Sequence, residues 1–155
     1  MPELIIPVGI PGSGKSTFVD NVYLLNTHTI LCLDDMRLAT GSIFNPKVEP
    51  LLKGMYKVMG RALMIRGQNI VLDSTNVSYH ITKEWVDMAK EYNYSTVIIL
   101  MKTDIDVCKE RQTKNVPTDK IHSFSNQMKD LIDQIDDFGV TEIYEVVEGE
   151  IKKWD

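Results

Sequence analysis

Five short runs that are apolar along most of their length, residues 4–8, 29–33, 69–73, 95–101 and 142–147, punctuate the chain. Between them, apolar residues return every three or four positions, the spacing of one helix face. Phe18, Val19 and Val22 follow the first run in this way. Leu51, Leu52, Met55, Val58, Met59, Ala62 and Leu63 predict a helix face that Asn45-Pro46 introduces and that ends near Gly67, with Pro50 blurring its start. Ser78 is placed to cap a helix carrying Ile81, Trp85, Met88 and Ala89. Asp104 opens a helix through Arg111, and Thr118 caps one whose face is Ile121, Phe124, Met128, Leu131, Ile132 and Ile135, with Gly139 as its stop. Strands that are apolar throughout are covered on both faces. The pattern therefore predicts an α/β fold: a mostly parallel five-stranded sheet with helices on both sides, a three-layer sandwich.

Composition narrows the picture without redirecting it. With 155 residues, 43% of them hydrophobic, the chain suits one core and hence a single domain over 1–155. A formal net charge of −5 argues against a surface built for tight non-specific nucleic-acid binding, though it leaves room for a local basic groove. Cys32 and Cys108 sit in apolar or helical stretches, where buried free thiols are expected. No disulfide framework is suggested, which fits the cytoplasm. Met1-Pro2-Glu3 leads directly into the first strand without a basic, cleavable leader. No run of about 18 apolar residues predicts a membrane span. Neither an internal repeat nor a low-complexity linker interrupts the pattern.

Chemistry is concentrated where strands end. Gly9-Ile10-Pro11-Gly12-Ser13-Gly14-Lys15-Ser16 satisfies G-x-x-x-x-G-K-[ST] between the first strand and the first helix, the context in which that pattern carries meaning. Its glycines let consecutive backbone N–H groups face an anion, and the helix N-terminus adds partial positive charge. Gly12, Ser13, Gly14, Lys15, Ser16 and Thr17 are thus the expected phosphate-binding set, with Lys15 at the outer phosphates and the Ser16 hydroxyl on Mg²⁺. The third strand ends in Asp73-Ser74-Thr75-Asn76, from which Asp73 can join Ser16 in holding the metal; the same residues would also serve as a polar turn. Asp34-Asp35-Met36-Arg37 ends the second strand. An Asp there can orient an acceptor hydroxyl and take its proton, and Arg37 can grip an anionic group by a two-pronged contact; a turn with a surface ion pair is the plainer alternative. Asp35 and Asn76 join Arg37 as candidate substrate contacts.

Gly12-Ser13-Gly14-Lys15-Ser16-Thr17, Leu33-Asp34-Asp35-Met36-Arg37 and Leu72-Asp73-Ser74-Thr75-Asn76 together resemble the kinase domain of phage-type polynucleotide 5′-hydroxyl kinases and related small P-loop kinases, over about residues 3 to 131. The resemblance implies ATP as donor, Mg²⁺ as cofactor and the 5′-hydroxyl of DNA or RNA as acceptor. It implies that Asp34 is the general base and that Arg37 contacts a substrate phosphate. It also implies a lid near 111–117, with Arg111 as its first arginine; this segment is shorter than usual in the family, and Lys114 is the only other cation in it. Met36 stands where an aromatic residue is common. The phosphatase domain fused to many such kinases is absent from the sequence, so 3′-end processing is not expected. Two other readings stay open: a kinase for a nucleotide, hydroxylated base or small metabolite, and an ATP-binding regulatory module that needs no acceptor base.

Overall fold

The computed structural model describes residues 1–23, 27–41 and 44–155. Six strands form one sheet in the order β2 (Thr29–Cys32), β3 (Ile70–Asp73), β1 (Glu3–Val8), β4 (Ser95–Met101), β5 (Glu142–Val147), β6 (Glu150–Lys153). The first five are parallel, and β6 returns antiparallel beside β5. Alternate residues of the central strands point to opposite faces, as the two-residue strand period requires. Leu4, Ile6, Val8, Ile70, Leu72, Ile98 and Leu100 join the larger core. Ile5, Val71, Val97, Ile99 and Met101 join the smaller one with Val19.

Helix α1 (Lys15–Tyr23), which carries Val19, covers the smaller face. The larger is covered by α3 (Glu49–Ile65), α4 (Tyr79–Glu91) and α6 (Thr118–Asp133) through Tyr56, Trp85 and Leu131 among others. The connection leaving β1 therefore crosses one face and the connection leaving β3, through α4, crosses the other. This divergence opens a crevice at the carboxyl ends of β1 and β3, the usual ligand position in such sheets.

Three expectations change. The sheet has six strands rather than five. Glu148 (φ 50°) and Gly149 (φ 82°) make a two-residue turn whose left-handed backbone matches strand twist, and β6 follows it. Every residue of β6 is exposed, so no apolar run announces it. The second strand stops at Cys32, and Leu33 begins a short helix, α2 (Leu33–Ala39), instead of closing the strand before a turn.

The third change concerns the buried face of α3. Leu51, Met55, Val58 and Met59 were expected to face the core, yet Leu51 is 62% and Val58 68% exposed. The buried stripe is Leu52, Tyr56, Gly60 and Met64. Tyr56 stacks edge-on against Trp85 at 5.5 Å between centroids, and its hydroxyl donates to the Leu31 carbonyl at 2.9 Å. A Cβ on Gly60 would lie 2.4 Å from the Trp85 ring. An aromatic pair with one satisfied hydroxyl, seated over a glycine, thus prevails over a longer stripe of flexible aliphatics.

The caps at Ser78 and Asp104 and the stop at Gly139 agree with expectation. Ser78 Oγ accepts from Ile81 N (3.3 Å), Asp104 Oδ1 accepts from Asp106 N (2.8 Å), and Gly139 ends a 3-10 turn at φ 63°. Thr118 is the first residue of α6 rather than its cap, a position held by Pro117. Both thiols are free, Cys108 buried and Cys32 half-buried. Among the described residues no helix is long and apolar enough to cross a membrane.

Candidate active site

The Gly-rich loop leaves β1 and is strapped from two sides. Gly9 N donates to the Thr75 carbonyl beyond β3 (3.0 Å), and Thr103 Oγ1, just past β4, donates to the Ser13 carbonyl (2.8 Å). Gly12 has φ +83°, and a Cβ there would sit 2.2 Å from the Cys108 carbonyl oxygen of α5 (Ile105–Arg111). Conformation and close approach both demand glycine at that position. Gly14, at φ +89°, has open space where a Cβ would project. The first hydrogen bond of α1 runs from Phe18 N to the Gly14 carbonyl (2.9 Å). The N–H groups of Lys15, Ser16 and Thr17 consequently have no partner within the helix. Among the described residues, Ser13 Oγ is the buried side-chain polar atom without a hydrogen bond.

Lys15 and Asp73 meet across the crevice, each 8% exposed, with Nζ 3.5 Å from Oδ1. Ser16 Oγ donates to both Asp73 oxygens at 3.4 Å. Burial pushes the Lys15 ammonium below its ordinary pKa, and the nearby Asp73 carboxylate opposes the shift. The buried ammonium, the Ser13 hydroxyl and the N–H groups at the start of α1 gather several hydrogen-bond donors around one carboxylate. Such a set of donors could hold a polyphosphate, and Ser16 with Asp73 could supply two oxygen ligands of the kind a partly phosphate-held Mg²⁺ takes. Among the described residues no cluster of three or more His, Cys, Asp or Glu side chains suited to a metal occurs.

The second strand end, beside β3, carries a different network. Asp34, in the first turn of α2, accepts from Arg37 Nη1 at 2.5 Å through Oδ1, and its Oδ2 contacts Lys114 Nζ. Arg37 is gripped from its other edge by Glu49 at the start of α3: Nη2 donates to Oε1 at 2.5 Å, and Nε donates to Oε1 and Oε2 at 3.1 and 3.2 Å. Glu49 is buried. For Asp34, burial favours the neutral acid, but Lys114 and Arg37 together outweigh it and hold the carboxyl below the usual carboxylate range. For Arg37, burial is likewise outweighed, first by the Glu49 hydrogen bonds and then by Asp34, so its pKa is raised.

The structure brings Lys15, Ser16 and Asp73 into one group and Asp34, Arg37 and Lys114 into a second. Asp35 is exposed. Arg111 ends α5, exposed and without an ion-pair partner among the described residues. Asn76, expected at the substrate, is turned elsewhere. It is buried at φ 54°, and its amide nitrogen donates to the carbonyls of Pro7 (2.7 Å), Leu72 (2.8 Å) and Ser74 (3.1 Å). It pins the turn after β3 against β1 and so steadies Asp73 from behind. Glu49 was not singled out in the sequence, where a Glu before Pro50 looks like an ordinary acidic first helical turn. Only its burial against Arg37 marks it.

Two viral relatives, both carried under provisional names, align with the chain. One is a bifunctional polynucleotide phosphatase/kinase of Acanthamoeba polyphaga mimivirus, 30% identical over 108 residues, which are 69% of this chain and 22% of that protein. The other is a bifunctional polynucleotide kinase/RNA ligase of Autographa californica nuclear polyhedrosis virus, 27% identical over 128 residues, 72% of this chain and 18% of that protein. The chain thus spans about a fifth of the length of these relatives. Among solved structures, the Pnkp1/Rnl/Hen1 RNA repair complex contains a chain that superposes with a TM-score of 0.77 at 24% identity, covering 86% of this chain and 46% of that one. This likeness supports the P-loop kinase sandwich expected from the resemblance. The AAA domain family profile matches residues 4–136, and the chain belongs to that family.

Proposed function

We propose that this domain transfers the γ-phosphate of ATP to a hydroxyl group, the 5′-hydroxyl of a DNA or RNA end. The observation that carries the reading is the pairing of two carboxylates on neighbouring strand ends with different company. Asp73 stands with Lys15 and Ser16, as a donor and metal site requires. Asp34 stands between cations, held charged and ready to accept a hydrogen bond. The names of the two viral relatives support a polynucleotide acceptor. A regulatory module would have no use for the second carboxylate and its Arg37–Glu49 support. The free thiols support a reducing compartment such as the cytoplasm.

In this reading the backbone N–H groups of Gly12 and of Gly14 to Thr17 and the Lys15 ammonium hold the donor phosphates, while Ser13 N keeps its bond to the Ile10 carbonyl. The orphaned Ser13 Oγ gains its missing partner there. Ser16 and Asp73 hold Mg²⁺, which when bound neutralises charge on the phosphate oxygens. Residues 111–117 act as a lid within a single domain, with Arg111 swinging from its exposed position onto the donor. Asp34 receives the acceptor hydroxyl once Lys114 gives up Oδ2. Its lowered pKa makes it a weak base, which suits a loose transition state in which the proton leaves late and alignment matters more than basicity. Arg37, aimed by Glu49, turns its Nη1 edge from Asp34 to an acceptor phosphate as the acceptor hydroxyl takes the carboxylate.

Transfer from γ-labelled ATP to 5′-hydroxyl oligonucleotides, mononucleotides and neutral hydroxylated metabolites tests the proposal. Transfer to oligonucleotides should dominate and weaken as salt rises, since phosphate contacts release counterions. Asp34→Asn should keep ATP binding and lose transfer by roughly 10²-fold or more. Wild-type rates in Asp34→Asn would remove the acceptor half of the proposal. Preferred transfer to a neutral metabolite, insensitive to salt, would replace the polymer with a small molecule.

A further inference from the structure

Helix α5 ends at Arg111, and the segment 112–116 that follows closes on itself. Gln112 Oε1 accepts from Val116 N at 3.1 Å, and Gln112 Nε2 donates to the Val116 carbonyl at 3.4 Å. Asn115, at φ 54°, supplies the left-handed residue that lets so short a loop reverse. Both ends of the loop are pinned. Gln112 N donates to the Cys108 carbonyl at 3.0 Å, the same carbonyl that faces Gly12 of the Gly-rich loop, and Val116 packs against the larger core. Between these ends stands Lys114, whose ammonium contacts Asp34 Oδ2, 80 residues away in sequence. Lys114 is 45% exposed. An exposed lysine on a slack loop gains almost nothing from such a contact, because ordering the loop and both side chains offsets the attraction. A loop whose backbone is already fixed loses far less on pairing.

We propose that Gln112 is a positioning residue: its amide clasps residues 112–116 into a preformed finger that sets Lys114 on the acceptor carboxylate. Gln112 acts through Lys114 and touches neither substrate nor reacting atoms. The contact it maintains keeps Asp34 charged and covered until an acceptor hydroxyl displaces the ammonium. Asp34 meets Arg37 on its own helix, Lys114 from the finger and, at longer range across the crevice, Lys15. Glu49 reaches it through Arg37, and Asp35 and Cys32 adjoin it along the chain. Arg37 and Lys15 are carried by helices, so their places are set by α2 and α1. Lys114 is carried by a loop, and its place depends on the clasp. The proposal rests on the kinase reading given above, in which Asp34 receives the acceptor.

The test is an NMR titration of the Asp34 carboxyl carbon in the substrate-free chain, for wild type, Gln112→Met, Lys114→Ala and the Gln112→Met/Lys114→Ala double variant. Lys114→Ala should move the Asp34 titration to higher pH by roughly one pH unit or more, the effect of losing one adjacent opposite charge. Gln112→Met, which keeps the length of the side chain and loses the amide, should move it the same way by a smaller amount, and should move nothing further once Lys114 is gone. Asn115→Val, which strains the finger at its left-handed residue, should reproduce Gln112→Met by a different route. Asn115 is exposed and Gln112 half-buried, so both variants should stay folded, which thermal melts check. In transfer assays the acid limb of kcat/KM should move with the titration. An Asp34 titration unmoved in both Gln112→Met and Asn115→Val, or a Gln112→Met shift of equal size with and without Lys114, would overturn the clasp while leaving the kinase reading intact. Absence of transfer from the wild-type chain to any hydroxyl acceptor would overturn the kinase reading and leave the titration result standing.

Discussion

Glu49 offers the sharpest test of how the proposed acceptor side is held together. Its carboxylate is buried and takes Arg37 Nη2 at 2.5 Å and Nε at 3.1 and 3.2 Å. Removing one partner of a fully buried ion pair costs about 3–5 kcal/mol. Two features bring the figure down here. Arg37 keeps a fifth of its side-chain surface in water, and it keeps Asp34 as a second partner. Glu49→Gln also retains an acceptor oxygen, so the variant loses charge rather than contact. About 2 kcal/mol follows, in the range of one charge-assisted hydrogen bond. For a domain of this size that lowers the melting temperature by roughly 4–8 °C. Thermal melts of Glu49→Gln, Arg37→Ala and the double variant complete a cycle whose coupling should be about 1–2 kcal/mol. In transfer assays Glu49→Gln should raise the KM of phosphate-bearing acceptors and leave that of ATP alone. Simple additivity of the two substitutions, together with an unchanged acceptor KM, would refute the claim that Glu49 aims Arg37.

Two further outcomes follow from geometry. On α3, Gly60→Ala should lower the melting temperature, because its Cβ meets Trp85 at 2.4 Å, whereas Gly54→Ala, with nothing within 4 Å, should raise stability by up to about 1 kcal/mol through helix propensity alone. Lys114→Ala removes a cation that keeps the Asp34 pKa low, so the acid limb of kcat/KM should move to higher pH. The same sign governs folding: the Asp34 contribution is present above the unfolded carboxyl pKa of about 3.9 and fades as pH falls through the lower folded value, and Lys114→Ala should narrow that window. An unmoved acid limb with a raised KM for ATP would instead assign Lys114 to the donor.

Much of the fold was legible because its determinants are local. The runs at 69–73, 95–101 and 142–147 became strands with bounds shifted by a residue at most, since an apolar run leading to a polar turn leaves the backbone few choices. The caps at Ser78 and Asp104 were readable for the same reason. What escaped depended on partners distant in sequence. The face of α3 was decided by Trp85, more than twenty residues on, and helical period alone cannot say which of two apolar stripes will find a glycine-lined seat for an indole. β6 was hidden because an edge strand exposed on both faces needs no apolar pattern; it is held by its ladder to β5, by Lys152 on Glu145 at 3.2 Å, and by Trp154 N on the Ile143 carbonyl.

The same division runs through the site and explains why its two halves were not equally readable. The proposed donor half is built from contiguous backbone: glycines at positive φ, a helix start, and a lysine and serine whose order places them at the crevice. A motif of that kind is a statement about φ and N–H direction, so eight residues suffice to announce it. Its one distant member, Asp73, arrives because β3 lies beside β1 in register, with Ile5 opposite Val71. The proposed acceptor half is built from side-chain charges brought together by tertiary packing. Asp34 and Arg37 are neighbours on a helix turn, but Glu49 and Lys114 reach them from α3 and from the segment before α6. No spacing rule links residues 34, 49 and 114. The resemblance marked Asp34 and Arg37 and left Glu49 unremarked. Asn76 differs in the opposite direction: a polar residue at the end of the third strand suggests a substrate contact, and only the three carbonyls around its amide identify it as the brace of that turn.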